Sequence, residues 1–141
     1  MIIRKIIVLG LIAVAIMLVA SREGSAQEQR LNAASAEFKS FYAKFIAAVH
    51  RGDKAAVASL TSFPVIYGFD AGDEGKYTKN EFLKTGFRRM FGKTPSRFLT
   101  AKNPVVSGNG TSYTVSTKDA THLIFTKGGK RFFFTDFLVE P

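Results

Sequence analysis

The period of the apolar residues changes once along this chain, and that change most constrains the fold. From Leu31 to His50 apolar residues recur every three or four positions, the pattern of an amphipathic helix. After Pro95 the pattern becomes short β-rich runs separated by glycine-containing turns. Helical periodicity followed by strand periodicity predicts an α+β domain with its helices first and its sheet last.

Two helices are expected at the start of the domain. The first carries the apolar stripe and ends at Gly52. Asp53 is then well placed to cap a second, shorter helix. The Phe63-Pro64 pair should end that helix, because the residue before a proline prefers an extended conformation.

A third helix is predicted by the capping-box spacing of Thr78 and Glu81, and it should end at Gly92. Arg88 and Arg89 in this helix are expected to point to solvent, and the alternative is a specific anion site. Between the second and third helices we expect a short strand over residues 65–69 and then an exposed loop over residues 70–76, which is rich in glycine and acidic residues.

The C-terminal part is expected to form an antiparallel meander. Its candidate strands are residues 97–102, 105–107, 111–117, 120–126 and 131–139. Gly128-Gly129 predicts a two-residue hairpin turn in which Lys127 pairs with Lys130. This register places Phe132, Phe134 and Asp136 on the core face of the sheet. It places Ile124, Phe133 and Phe137 on the outer face.

The N-terminus has the layout of a secretory signal peptide over residues 1–26. Arg4 and Lys5 precede an uncharged apolar run over residues 6–20, and Gly24-Ser25-Ala26 offers small residues for cleavage. The run of 15 residues is short for a membrane span. We therefore expect a domain of residues 27–141 that is periplasmic or secreted and free of the membrane after cleavage. An uncleaved signal would instead give a membrane-tethered protein.

Composition narrows the chemistry further. The chain has no cysteine, which excludes disulfides and thiolate metal sites, and its formal net charge is +9. For an exported domain, a basic surface favours envelope partners over nucleic acid. No nucleotide or hydrolase motif occurs, and no cofactor is expected.

The string FKSFYAKFIAAVHRGDKAAVASLTSFPV at residues 38–65 and YTKNEFLKTGFRRMFG at residues 77–92 resemble small exported bacterial proteins of the NTF2-like (cystatin-like, SnoaL-like) superfamily. The resemblance covers nearly all of the chain after residue 26. It implies a cone of three helices packed on a curved antiparallel sheet, with a pocket between them. It implies no particular activity, because this fold hosts enzymes and pure binding modules.

Asp136 is the candidate catalytic residue, because burying a carboxylate on an apolar face is costly unless the group is hydrogen-bonded or has a function there. It would act as an acid or base with a raised pKa, or else accept hydrogen bonds at the sheet margin. The expected ligand pocket combines Asp136 with aromatic residues from both halves of the domain: Tyr67, Phe69, Tyr113, Phe132 and Phe134.

Metal binding is not expected. His50 and His122 are the only histidines and have no evident partner in the sequence. A catalytic zinc site usually has three protein ligands. Asp70, Asp73 and Glu74 lack the regular alternation of a calcium loop.

Two functions remain open. The first is a non-catalytic binding module for a small apolar or amphipathic ligand or a protein partner, dimeric through an outer sheet face formed by Ile124, Phe133 and Phe137. The second is a cofactor-free lyase or isomerase that uses Asp136 with Tyr67 or Tyr113 as hydrogen-bond donor. They differ in whether a second polar group converges with Asp136 in an open cavity.

Overall fold

The computed structural model describes residues 29–30, 34–92, 105–117 and 119–141. The signal peptide predicted for residues 1–26 and the strand predicted for residues 97–102 lie outside the described residues. Within the described ranges, no helix is long and apolar enough to cross a membrane.

The first helix, α1 (Ala36–His50), turns one aromatic face toward the sheet. It begins after Ser35, whose Oγ accepts a hydrogen bond from the backbone N–H of Phe38 at 3.2 Å. Its buried positions follow the predicted helical period: Phe38, Tyr42, Phe45, Ala48 and Val49. Phe41 and Ile46 at the margins of this stripe are only half-buried.

The second helix, α2 (Lys54–Ser59), follows a tight turn at Gly52, where φ is +66°. Glycine adopts this left-handed conformation at little cost because it has no Cβ. The Asp53 carboxylate accepts a hydrogen bond from the N–H of Ala56 at 3.0 Å and caps the helix as predicted. The helix ends four residues before Phe63, earlier than the Phe63-Pro64 signal indicated.

The third helix covers residues 79–91 in three successive stretches: α3 (Lys79–Glu81), a π-helical segment (Phe82–Gly86) and α4 (Phe87–Phe91). The predicted capping box is confirmed. The Glu81 carboxylate accepts a hydrogen bond from the backbone N–H of Thr78 at 2.8 Å, which lowers the pKa of Glu81. Gly92 ends the helix with φ of +73°.

A single sheet of seven strands underlies the helices in the part of the chain that is described. Its strands are β1 (Gln29–Arg30), β2 (Thr61–Asp70), β3 (Asp73–Tyr77), β4 (Val105–Gly108), β5 (Ser112–Ser116), β6 (Thr121–Gly128) and β7 (Arg131–Val139). Their spatial order is β1-β4-β5-β6-β7-β2-β3, and the sheet is curved and unclosed. Strands β4 to β7 form the predicted antiparallel meander. The α+β class with helices on a curved sheet is confirmed.

Strand β3 corrects the prediction of an exposed loop over residues 70–76. The chain turns at Gly72, where φ is +87°, and returns antiparallel to β2. Asp73, Gly75 and Tyr77 are the less exposed positions of β3, while Glu74 and Lys76 are exposed. The glycine and acidic residues suggested a loop, but an edge strand with solvent on one side tolerates charged side chains.

A β-bulge in β7 corrects the predicted faces of Asp136 and Phe137. The predicted pairing of Lys127 with Lys130 is wrong: Gly128 lies opposite Arg131 and Lys127 opposite Phe132, so the turn is Gly129-Lys130 and Phe125 lies opposite Phe134. This shift of the register by two residues leaves each side chain before the bulge on its predicted face, because side chains alternate with a period of two. The register then shifts, so that Ile124 faces Asp136 and Leu123 faces Phe137, leaving Thr135 as the extra residue. The Thr135 hydroxyl donates to the carbonyl oxygen of Ile124 at 3.2 Å within the bulge.

Because of this one extra residue, every later side chain of β7 lies on the face opposite to the one predicted. Phe137 therefore joins the core, where it is 1% exposed, and Asp136 lies on the outer face. The predictions for Phe132 and Phe134 on the core face and for Phe133 and Ile124 on the outer face hold, because these residues precede the bulge or belong to the regular strand β6.

Phenylalanine rings pack against one another in the space between helices and sheet. Phe45 of α1 contacts the rings of Phe125 and Phe134, with centroids 5.1 and 5.0 Å apart. Phe91 of α4 contacts Phe134 and Phe137 at 6.0 and 5.7 Å. Tilted and edge-to-face pairs of this kind are favourable beyond the burial of area. The described interior of the cone is thus a packed aromatic core.

Candidate functional site

The predicted pocket residues separate into a core group and an exposed group. Tyr113, Phe132 and Phe134 belong to the core and are at most 4% exposed. The Tyr113 ring stacks on Phe38 at 4.2 Å, and its hydroxyl accepts a hydrogen bond from the N–H of Ser35 at 3.3 Å. These contacts fix the start of α1 to the sheet.

Asp136 does not converge with the aromatic residues expected beside it. It lies on the outer face between Ile124 of β6 and Ile66 of β2 in the strand register. Tyr113 is buried on the core side, and Tyr67 pairs with the core residue Phe137. The sheet therefore separates the candidate carboxylate from both candidate tyrosines.

Tyr67 and Phe69 lie half-buried beside Arg89, which projects from α4 toward the β2–β3 hairpin. The guanidinium carbon of Arg89 is 4.2 Å from the centroid of the Phe69 ring and 5.5 Å from that of Tyr67. Tyr77 of β3 stacks on Tyr67, with centroids 4.4 Å apart. A cation over aromatic faces is stabilised by the ring quadrupoles. We call Arg89, Tyr67, Phe69, Tyr77 and Asp73 the Arg89 cluster.

Two polar contacts hold the guanidinium in place. Arg89 Nη1 donates a hydrogen bond to the Tyr77 hydroxyl at 3.3 Å, and Nη2 forms an ion pair with the Asp73 carboxylate. The hydrogen bond to Tyr77 is the main cause that raises the pKa of Arg89, so the cation persists at all physiological pH values. The side chains of Arg89 and Asp73 remain 42% and 43% exposed. The cluster thus combines a fixed cation with aromatic surface that solvent reaches.

The sequence patterns did not identify the Arg89 cluster. The sequence predicts Arg89 in solvent or at an anion site, and it places Asp73 in a loop and Tyr77 directly after that loop. The one available signal was the alternation of Asp73, Gly75 and Tyr77 at every second position, which is the period of a strand.

The outer face of the sheet carries the residues expected to form a dimer contact, with two differences. Phe137 is in the core, whereas Ile66 is a large hydrophobic residue of this face that is 40% exposed. Phe133 lies at the hairpin end, where the guanidinium of its neighbour Arg131 covers its ring at 4.6 Å. Ile124 is half-buried beside Asp136.

His122 has partners that the sequence did not indicate. Its Nδ1 lies 2.8 Å from the Ser116 hydroxyl oxygen, directly across the β5–β6 pair. Its Nε2 lies 3.2 Å from a carboxylate oxygen of Glu140, within ion-pair range, although the N–H direction is off that of a hydrogen bond. His50 is exposed in the last turn of α1. Among the residues described, no three His, Cys, Asp or Glu side chains group as metal ligands.

Comparison with known proteins finds likenesses among solved structures. No family model and no curated protein matches the chain. The structure is similar to an NTF-2-like protein of unknown function from Silicibacter pomeroyi DSS-3, with 11% identity and a TM-score of 0.45, over 73% of this chain and 91% of that one. It is also similar to a protein of unknown function with a cystatin-like fold from Nostoc punctiforme PCC 73102, with 16% identity and a TM-score of 0.43, over 77% of this chain and 95% of that one.

Proposed function

We propose that this protein is a binding module that takes a small amphipathic anion at the Arg89 cluster. The observation that carries the proposal is the half-exposed guanidinium of Arg89 lying on the half-exposed rings of Phe69 and Tyr67. A planar cation with several N–H donors suits a carboxylate, sulfonate or phosphate. The neighbouring rings suit the apolar body of the same molecule.

The interior of the cone is a less suitable place for the ligand. Tyr113, Phe132 and Phe134 are engaged with other core rings, and a ligand there would have to separate packed side chains. The rival enzymatic function also loses its support, because Asp136 lies on the outer face, away from Tyr67 and Tyr113. Binding at the edge of the aromatic core requires neither an open cone nor a buried acid.

Calorimetric titration with 2-naphthoate, an aromatic carboxylate, tests the anion site. We expect Arg89→Met to raise the Kd about 10- to 100-fold, because a charge-assisted hydrogen bond is worth about 1.5–3 kcal/mol. Arg88→Met is the matched control, since Arg88 is the adjacent exposed cation on the same helix. Equal weakening by both variants would indicate general charge attraction, and no weakening by Arg89→Met would exclude the site.

We further propose that a second copy of the chain covers the part of the outer sheet face formed by β3, β2 and β7, and leaves β5 and β6 uncovered. Lys76, Ile66 and Asp136 lie side by side across β3, β2 and β7. A two-fold axis along β2 would place Ile66 against its own copy and each Lys76 against Asp136 of the other copy. This row is therefore complementary to itself in charge, with an exposed apolar residue at its centre.

Multi-angle light scattering tests this dimer. We expect Asp136→Lys to shift the protein toward monomer, because it sets lysines against each other across the axis. The double variant with Lys76→Asp should restore the dimer by exchanging the charges. A protein that is monomeric before any substitution, or a double variant that stays dissociated, would contradict the arrangement.

Export of the chain is also a proposal, carried by the charged, apolar and small-residue layout of residues 1–26. Protein recovered from the periplasm of an expressing bacterium is expected to begin near Gln27. Intact-mass measurement reports the new N-terminus. A membrane-bound product that retains residues 1–20 would show instead that the segment is an anchor.

A further inference from the structure

Three side chains at one end of the outer sheet face form a chain of contacts that the binding function does not use. Ser116 is the last residue of β5, and His122 lies opposite it near the start of β6. The Ser116 hydroxyl oxygen is 2.8 Å from Nδ1 of His122, and a Glu140 oxygen is 3.2 Å from Nε2 of the same ring. A hydroxyl, an imidazole and a carboxylate thus follow one another.

The position of the Glu140 carboxylate bears on which nitrogen of His122 carries the proton. Nε2 and Glu140 are not aligned as a hydrogen bond, but a carboxylate oxygen 3.2 Å away attracts an N–H and offers nothing to a bare lone pair, which favours the tautomer with its proton on Nε2. Nδ1 then has a free lone pair, and the Ser116 hydroxyl must donate to it. A serine hydroxyl that donates its hydrogen bond to an imidazole nitrogen in this way can transfer its proton to that base.

The surroundings allow a small molecule to approach. Ser116 and His122 are half-buried, and the Glu140 side chain is 70% exposed. Leu138 lies next to His122 in the strand register, and Gly68 follows on β2. Because Gly68 has no side chain, the Leu138 methyl groups lie over it and form a short apolar surface beside the histidine.

We propose that Ser116 is a nucleophile toward short activated esters, with His122 as its base and Glu140 as a positioning residue. The Ser116 oxygen forms a bond to the acyl carbon, its proton passes to Nδ1 of His122, and the ester C–O bond breaks as the alkoxide leaves. The proton on Nδ1 passes to solvent, where it neutralises the alkoxide. His122 then takes a proton from a water molecule that attacks the acyl carbon, the bond to the Ser116 oxygen breaks as that oxygen receives the proton back, and the acid leaves. An ester of a weakly basic alcohol fits best, because its leaving group departs without being protonated. This activity is separate from anion binding at the Arg89 cluster.

Labelling with a fluorophosphonate tests the nucleophile directly. The Ser116 oxygen displaces fluoride from phosphorus, and peptide mass spectrometry identifies the modified residue in the full chain. We expect one label, on Ser116. His122→Gln should slow labelling about 100-fold, the usual size of a general-base contribution. Ser112→Ala is the matched control and should label at the unchanged rate, since Ser112 lies on the same strand and pairs with Thr126 rather than a histidine.

Glu140 is tested by rescue. Glu140→Ala should slow labelling and Glu140→Asp should recover part of the rate, a difference that a purely structural role at so exposed a position would not produce. Hydrolysis of p-nitrophenyl acetate should fall in parallel in the same variants. An unlabelled native protein overturns the proposal, whether or not any variant folds. Labelling on another residue, or labelling of Ser116 that does not change in His122→Gln, overturns it equally.

Discussion

Replacing Phe137 with alanine is expected to lower the free energy of unfolding by about 3–5 kcal/mol, the usual cost of removing a fully buried phenylalanine ring. Phe137 is 1% exposed and contacts the rings of Phe69 and Phe91. Its loss would leave a cavity where β2, β7 and α4 meet. Urea unfolding followed by circular dichroism measures the change.

Phe133→Ala is the matched control for this prediction. Phe133 has the same side chain on the same strand, but it lies before the bulge and faces outward beside Arg131. Its replacement should cost about 1 kcal/mol, the typical effect of a single substitution. If Phe133→Ala proved the more damaging of the two, the exchange of faces at Thr135 would be wrong, and Asp136 would return to the core side.

Raising the pH above 10 is expected to destabilise the protein through Tyr42. Burial under Phe38 and Phe125 raises the pKa of Tyr42 to about 12, because the phenolate would lose its hydration there. The unfolded chain ionises near its ordinary value of 10.0, so the unfolded state gains from deprotonation first. The contribution of Tyr42 is fully present below pH 10 and falls as the pH rises toward 12.

The expected loss from Tyr42 is about 1.4 kcal/mol at pH 11 and approaches about 2.7 kcal/mol above pH 12. Lysine and other tyrosine side chains titrate in the same range, so Tyr42→Phe serves as the reference. The difference in unfolding free energy between the two proteins, measured at several pH values, isolates the Tyr42 contribution. A difference that stays constant from pH 8 to pH 12 would show that the Tyr42 hydroxyl ionises in the folded protein as easily as in the unfolded chain.

The two faces of the sheet have different chemistry because of the bulge in β7. The core face is aromatic, and Tyr67 and Phe69 at the Arg89 cluster are among its partly exposed residues. The outer face carries Asp136, Ile66 and the contacts around His122. The proposed anion site and the proposed serine nucleophile therefore lie on opposite faces, and substitutions in one are not expected to affect the other.

Local signals in the sequence determined the helices and the class of fold, and they located the last hairpin turn to within one residue without giving its register. Ser35 and Asp53 cap helices through their own side chains, and the Thr78–Glu81 box acts over three residues. The alternation from Leu123 to Phe125 and from Phe132 to Phe134 was sufficient to place these residues in the core. Such features depend on neighbours a few positions apart, and a single sequence contains them.

Only the tertiary structure decided the features that bear on function. The parallel alignment of β2 with β7 joins segments that are far apart in the chain. The bulge at Thr135 depends on a single unpaired residue, and the short hairpin of β2 and β3 was concealed by its charged and glycine residues. Hydrophobic periodicity cannot detect a single inserted residue, although that residue exchanges every later side chain between the two faces. Arg89 meets Asp73 across 16 positions, and Glu140 meets His122 only where β6 and the end of β7 come together. Contacts of this kind follow from how whole elements pack, because no local preference of either residue specifies its partner.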